Sequence, residues 1–182
     1  MIITIDGPAG VGKTTTAKKL ASKLGYQYLD TGAMYRAVTY FFGKHSTDIT
    51  SENQVKKMLD ILNLELDFTS NDSITVLLDG KDISLLIRSK AVTDAVSKVS
   101  ALQSVREKMV KMQKDTAKNG NFVIEGRDIG TVVFPDAKHK FFLIADYDTR
   151  AKRRFKDFKI VNEELNVNKI KQDLTDRDQY DS

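Results

Sequence analysis

The sequence predicts a three-layer α/β fold, in which an open parallel sheet has helices on both faces, together with a small antiparallel insert. Short apolar runs alternate with segments of helical periodicity, a pattern typical of parallel strands joined by right-handed crossovers. A glycine-rich turn joins the first apolar run directly to the first helical segment. Between residues 63 and 85 apolar and polar residues alternate, which indicates antiparallel strands.

The first elements are a buried strand and an amphipathic helix. Residues 2–5 are a continuous β-branched run, as expected of a strand that is buried on both faces. The apolar face of the helix after the turn is formed by Ala17, Leu20, Ala21 and Leu24. Gly25 is placed to end this helix. A second strand is predicted at residues 26–29, and Asp30 or Thr31 can cap the helix that follows. That helix buries Met34, Val38 and Phe41.

The insert follows a third helix. Ser51 and Gln54 have the spacing of a capping box. The apolar residues of the helix that they open are Val55, Met58, Leu59 and Leu62. Two strands are then predicted within residues 64–78, and Asp79-Gly80 indicates a tight turn into a short return strand that ends at Ile83.

The second half of the chain returns to alternating helices and strands. Helical periodicity resumes at Lys90, breaks near Ser100 and ends at Asn119-Gly120. Its buried stripe is formed by Val105, Met109 and Met112. Strands are predicted at residues 122–124 and 140–144, with a loop at 126–136, a basic helix at 148–158 and a last helix at 167–178. We therefore assign the core to residues 1–62 and 86–182, and the insert to residues 63–85.

Composition narrows the class of protein. The 182 residues fit one domain, and 41% hydrophobic residues can form a core, which argues against disorder. The sequence has no cysteine, so neither a disulfide nor a thiolate zinc site can hold the fold. No apolar run approaches the ~20 residues that span a bilayer, and no basic segment precedes the first apolar run. We expect a cytoplasmic protein. The net charge of +4 suits an anionic ligand but also an ordinary lysine-rich surface.

One motif carries specific chemistry. Residues 7–14 match G-x-x-x-x-G-K-[ST] in full and lie between a predicted strand and a predicted helix, as a P-loop requires. Glycines let successive backbone N–H groups face a phosphate, and the helix directs its N-terminal dipole at the same anion. Lys13 can then reach the β- and γ-phosphates of a nucleotide, and the Thr14 hydroxyl can bind Mg²⁺.

The P-loop does not identify the acceptor of the phosphoryl group. Proteins that transfer it to water usually have a longer chain, a second acidic strand end for the metal, and a residue that positions the water. A small phosphorylated acceptor instead requires arginines on loops that face the P-loop. The second requirement matches this sequence better. Arg127 lies close to the end of a predicted strand, where ligands bind in open α/β sheets.

Longer blocks of the sequence resemble bacterial cytidylate kinases over essentially the whole chain. These blocks are Asp6 to Thr14, Leu29-Asp-Thr-Gly-Ala-Met-Tyr-Arg36, Ile87-Arg88, Val92 to Val99, Val105-Arg106-Glu107, Gly126-Arg-Asp-Ile-Gly-Thr-Val-Val-Phe-Pro135, Arg177-Asp178 and Asp181. The resemblance implies a P-loop core, an insert region extending to about residue 110 that closes over a nucleoside monophosphate, and an arginine-rich lid near residues 150–168. It also implies phosphoryl transfer from MgATP to CMP or dCMP.

The resemblance further implies a role for individual residues. The ATP-binding residues would be Gly7, Pro8, Ala9, Gly10, Val11, Gly12, Lys13, Thr14 and Thr15, with Mg²⁺ at Thr14. The CMP-binding residues would be Thr31, Arg36, Ser97, Arg106, Arg127, Asp128, Arg177 and Asp181. Of these, Arg36 and Arg127 would bind the α-phosphate, while Ser97, Arg106 and Asp128 would recognise cytosine. The catalytic residues would be Lys13, Arg127, Asp128, Arg150 and Arg153, with Arg154 in the same lid helix.

Two alternatives stay open at this stage. The acceptor could be UMP or AMP, since only the cytosine-recognising residues distinguish these from CMP. The chain also stops at Ser182, where members of the resembled family continue with a further arginine, a strand and a helix. We therefore also consider a truncated protein with an open sheet edge that binds nucleotide, or nucleic acid through a basic face, with impaired catalysis. For the kinase we expect a monomer, with no nucleic-acid or membrane partner.

Overall fold

A computed structural model describes residues 1–68 and 74–159, with side chains described as far as Arg153. The strands are β1 (Ile2–Asp6), β2 (Gln27–Asp30), β3 (Leu64–Asp67), β4 (Thr75–Leu78), β5 (Lys81–Asp82), β6 (Phe122–Gly126) and β7 (His139–Phe142). The α-helices are α1 (Lys13–Leu24), α2 (Thr31–Lys44), α3 (Glu52–Ile61), α4 (Lys90–Ser100), α5 (Gln103–Ala117) and α6 (Tyr147–Lys159).

The described strands form two sheets. The larger is parallel, with the order β2-β6-β1-β7, and the smaller is the antiparallel sheet β3-β4-β5. This arrangement confirms the predicted α/β class with an antiparallel insert. The residue limits assigned to the core, the insert and the lid remain predictions. In the described part of the parallel sheet β7 is an edge strand, and the side chains of Phe141 and Phe142 are exposed.

The parallel sheet is covered on both faces. On one face Ala17 and Ala21 of α1 pack against Ile3, Ile5 and Val123. On the other face the larger core includes Leu29, Met34, Val38, Phe122, Ile124 and Met109, and continues into the insert through Leu64, Val76 and Leu78. Neighbouring residues of β6 therefore face opposite clusters, as a continuous apolar strand predicts. Within residues 1–68 and 74–159, no helix has both the length and the apolar character needed to cross a membrane.

The helix termini confirm most of the local predictions. Gly25 ends α1 in the left-handed conformation, with φ of 65°. Asp79 and Gly80 both have positive φ, as a tight hairpin turn requires. Asp30 caps α2 by accepting a hydrogen bond from the Ala33 N–H at 3.1 Å. Thr31 does not cap this helix, because its hydroxyl donates to the Glu125 carbonyl at 2.8 Å.

Some expectations were wrong. Leu24 was predicted on the buried face of α1, but it lies in the last turn and 46% of it is exposed. The capping box at α3 is incomplete: Ser51 accepts from the Gln54 N–H, while the Gln54 side chain accepts from the Asp48 N–H and not from Ser51. The predicted loop at residues 126–136 contains a π-helical turn at Ile129–Val133. That turn begins where the Asp6 carboxylate accepts backbone hydrogen bonds.

Candidate active site

The site lies where the parallel strands end. The strand register aligns Asp6 of β1 with Gly126 of β6, and Glu125 with Asp30 of β2. The carboxyl ends of the neighbouring strands β2, β6 and β1 therefore meet at one edge of the sheet, and the P-loop begins at the end of β1. In open α/β sheets this edge is where ligands bind.

The backbone of the P-loop, residues 7–14, has conformations that favour glycine at several positions. Gly12 has φ of 97° and directly precedes α1, so a side chain there would be strained. A Cβ on Gly7 would lie 2.3 Å from the Leu143 carbonyl oxygen, so only glycine fits between the loop and the segment after β7. The loop therefore presents the N-terminus of α1 to the strand edge, where a phosphate would be stabilised by the helix dipole.

Two cationic side chains from distant segments converge on the Gly7 carbonyl. The Lys13 ammonium donates to the carbonyls of Gly7 at 2.7 Å and Pro8 at 2.9 Å. The Arg127 guanidinium donates to the same Gly7 carbonyl at 3.3 Å. A lysine predicted to bind the donor phosphates and an arginine predicted to bind the acceptor phosphate therefore lie side by side.

Two arginines of α6 also contact the P-loop. The buried Arg150 donates from Nε to the Ala9 carbonyl at 2.7 Å. Arg153 donates from Nη1 to the carbonyls of Val11 at 2.9 Å and Gly10 at 3.4 Å. These contacts place the positive charge of both arginines at the loop, as expected for groups that would stabilise a transferring phosphoryl group. The side chain of Arg154 lies outside the described residues.

Glu125 is a component of the site that sequence reasoning missed. Its buried carboxylate accepts hydrogen bonds from the Thr14 hydroxyl, at 3.1 Å, and from the Tyr28 hydroxyl. Burial and the neighbouring Asp30 raise the pKa of Glu125, while the hydrogen bonds from Tyr28 and Thr14 and the charge of Lys13 lower it. An acidic strand end is therefore present beside the P-loop. The available signal was a glutamate immediately before Gly126-Arg127-Asp128.

Two of the residues expected to bind CMP lie on α2, which directly follows β2. Thr31 lies at the start of α2, and its hydroxyl donates to the carbonyl of Glu125, the residue before Gly126. Arg36 lies further along α2 and donates to the Ile87 carbonyl at 3.2 Å and to the Thr93 hydroxyl at 2.9 Å. These two contacts hold the Arg36 guanidinium against α4 and the segment before it.

Two of the residues expected to recognise cytosine are paired with each other. The Arg106 guanidinium of α5 donates to the Asp128 carboxylate. Tyr35 lies close to both charges, and burial raises its pKa. Ser97 is half-buried on α4, and no hydrogen bond within residues 1–68 and 74–159 joins its side chain to this pair. Thr15 is exposed in the first turn of α1, and the expected sites at Arg177 and Asp181 lie outside the described residues.

Comparison with known proteins agrees with the resemblance seen in the sequence. The family model described as cytidylate kinase matches residues 3–182. Two relatives named cytidylate kinase, from Protochlamydia amoebophila and Lactobacillus johnsonii, are each 45% identical over the whole chain, which spans 81% and 79% of their lengths. A protein from Prochlorococcus marinus named bifunctional pantoate ligase/cytidylate kinase is 46% identical, and the chain spans 35% of its length. The chain therefore belongs to the cytidylate kinase family.

Proposed function

We propose that this chain transfers the γ-phosphoryl group of ATP to CMP or dCMP, giving ADP and CDP or dCDP. The observation that carries the proposal is the convergence of Lys13 and Arg127 on the Gly7 carbonyl. In-line transfer requires the donor and acceptor phosphates to meet, so cations for each must lie close together. The names of the relatives, cytidylate kinase, support the choice of acceptor.

On the donor side, the chain binds and orients the triphosphate. The P-loop N–H groups and the N-terminus of α1 face the phosphates, and Lys13 supplies a mobile charge. Lys13 now bonds to the carbonyls of Gly7 and Pro8, so the bound phosphates would replace backbone oxygens as its partners. Arg150 and Arg153, which contact carbonyls of the same loop, would stabilise charge on the transferring group.

The residues at Thr14 fit a magnesium ion. Thr14 is an exposed residue whose hydroxyl donates to the Glu125 carboxylate, so the groups available here are oxygens, which Mg²⁺ prefers. Within residues 1–68 and 74–159 there is no cluster of three or more residues that could form an all-protein metal site. This agrees with Mg²⁺, which usually takes its remaining ligands from nucleotide phosphates and water. When bound, the ion would neutralise charge on the phosphates.

On the acceptor side, charge and geometry support a nucleotide with a phosphate and a cytosine base. Arg36 and Arg127 each offer a planar fork of donors that can bind two phosphate oxygens. Cytosine has an exocyclic amine donor and ring acceptors, which match the Asp128 carboxylate and the Arg106 guanidinium respectively. In the described structure the Arg106 guanidinium donates a hydrogen bond to the Asp128 carboxylate, so the base would share or replace this hydrogen bond.

The test is ATP-dependent diphosphate formation by the 182-residue chain, with CMP, dCMP, UMP and AMP offered in parallel. We expect turnover with the cytidine nucleotides alone. Preferential turnover of UMP or AMP would replace the proposed acceptor. No turnover in a protein that still binds ATP would support the reading of a nucleotide-binding protein with impaired catalysis. Asp128→Asn should weaken cytosine selectivity, and an unchanged acceptor preference would remove Asp128 from base recognition.

Glu125→Gln is expected to raise the Mg²⁺ concentration needed for half-maximal activity about 10- to 100-fold, the usual effect of losing an outer-shell partner. The amide cannot supply the charge that orients the Thr14 hydroxyl. Activity measured against total Mg²⁺ at fixed ATP tests this. Tyr28→Phe is the matched control, because it removes the hydrogen bond that the Tyr28 hydroxyl donates to Glu125 but leaves the Glu125 carboxylate in place. An unchanged Mg²⁺ requirement in Glu125→Gln would separate Glu125 from the metal site.

We also propose that the protein acts as a monomer in the cytoplasm and that its partners are small nucleotides. The absence of cysteine from the sequence agrees with a reducing compartment. Sedimentation of the purified chain at working concentration would test the monomer.

A further inference from the structure

We infer that Asp6 is a positioning residue for the acceptor side of the site, because its carboxylate holds the segment after Arg127 and Asp128 against the start of the P-loop. The carboxylate accepts hydrogen bonds from the Ile129 N–H at 2.9 Å and from the Gly130 N–H at 2.8 Å. The inference rests on the proposed function, since that function assigns Arg127 and Asp128 to the acceptor.

Asp6 joins segments that are far apart in the chain. Ile129 and Gly130 lie 123 and 124 residues away, and Asp6 reaches them because β1 and β6 pair in register. Its own carbonyl accepts a hydrogen bond from the Leu143 N–H at 2.8 Å. Asp6 therefore contacts the segment that carries the acceptor residues and the segment that leads to α6, while Gly7 beside it accepts from Lys13 and Arg127.

Gly130 gives independent evidence that this contact is close. A Cβ on Gly130 would lie 2.7 Å from the Thr4 hydroxyl oxygen and 3.2 Å from the Asp6 carboxylate. The first distance is too short for a real Cβ, so the segment lies directly on the end of β1. Any larger residue would move this segment, and with it the backbone that carries Arg127 and Asp128.

Burying a charged carboxylate costs free energy, and a merely structural contact would not require a charge. Asp6 is only 6% exposed, and burial raises its pKa. Asp128 raises that pKa further, while the two N–H donors and Lys13 lower it. Both carboxylate oxygens accept a hydrogen bond. Asparagine has only one side-chain oxygen, so its NH₂ group would lie against one of the two backbone N–H donors. The position thus requires two acceptors within one short side chain.

The test compares Asp6→Asn with wild type in separate calorimetric titrations of ATP and CMP. We expect the Kd for CMP to rise about tenfold or more, because loss of a charge-assisted hydrogen bond loosens the acceptor segment. The Kd for ATP should change less than about twofold, since the P-loop backbone is intact. Asp82→Asn is the matched control: it removes an exposed carboxylate that accepts a backbone hydrogen bond from Ser84, and it should alter neither Kd.

A pH series separates positioning from a general loss of structure. As pH falls through the raised pKa of Asp6, the wild-type carboxylate is neutralised, whereas the Asp6→Asn side chain does not titrate there. The ratio of the two CMP dissociation constants should therefore approach one at low pH. Titration of the CMP phosphate is common to both proteins and cancels in this ratio. Of the other charged groups, Asp128 and Lys13 face Asp6, while Lys140 on β7 donates to the Pro135 carbonyl at 2.7 Å.

Three outcomes would overturn the inference: equal losses of ATP and CMP affinity, unchanged CMP affinity, or a ratio that does not vary with pH. Gly130→Ala displaces the same segment without removing the carboxylate, and it should also weaken CMP more than ATP. If Asp6→Asn does not fold, the relative losses of CMP and ATP affinity in Gly130→Ala test the inference instead. A wild-type chain that binds ATP but not CMP would instead contradict the proposed function.

Discussion

Lys13→Ala is expected to lower kcat about 10³-fold or more while the protein stays folded. Removing a single preorganised donor from a developing negative charge typically costs 10²- to 10³-fold, and Lys13 contributes a full charge. Its ammonium lies at the centre of the P-loop, within 2.9 Å of two loop carbonyls. Alanine is an excellent helix former, so α1 should still begin at this residue.

The measurement is the steady-state rate of CDP formation at saturating ATP, CMP and Mg²⁺. Circular dichroism and the thermal midpoint report whether the variant is folded. Lys19→Ala is the matched control, because Lys19 is an exposed lysine of the same helix and should keep wild-type turnover. If Lys13→Ala kept near-normal turnover, Lys13 would have no role in binding the transferred phosphate.

The site could be predicted where it depends on short stretches of sequence. The P-loop motif is one contiguous segment whose spacing reflects backbone geometry, so the motif alone was enough to predict the glycine-rich turn between β1 and α1. The strands and helices followed from periodicity, because burial on one or two faces determines which positions are apolar. Asp30 capping α2 is similarly local, although the sequence alone left Asp30 and Thr31 as alternatives.

Contacts between distant segments could not be predicted in the same way. The Thr14–Glu125 hydrogen bond spans 111 residues and the Asp6–Gly130 hydrogen bond spans 124. Both depend on the register of β1 with β6, which periodicity does not specify. Gln113 illustrates a second limit of prediction from sequence. It is fully buried on α5, but buried helix positions are predicted from the spacing of apolar residues, and glutamine is polar.

The second large effect is expected at Arg127. Arg127→Ala should lower kcat/KM for CMP about 10³-fold, mainly by raising KM, because an arginine that binds a phosphate contributes through two parallel charged hydrogen bonds. The KM for ATP should change much less, since Lys13 and the P-loop N–H groups remain. Val132→Ala is the matched control, because Val132 is exposed in the same segment and its side chain has no hydrogen-bond donor for a phosphate.

Arg127→Lys distinguishes the geometry of the side chain from its charge. Lysine retains the positive charge but can direct only a point charge at the phosphate, so we expect it to recover a minor part of the loss. Full recovery would mean that Arg127 acts only through its charge and does not bind two phosphate oxygens. Equal losses for ATP and CMP would place Arg127 on the donor side, which its hydrogen bond to the Gly7 carbonyl alone does not exclude. The ratio of the two KM changes therefore tests the assignment of the donor and acceptor cations that meet at Gly7.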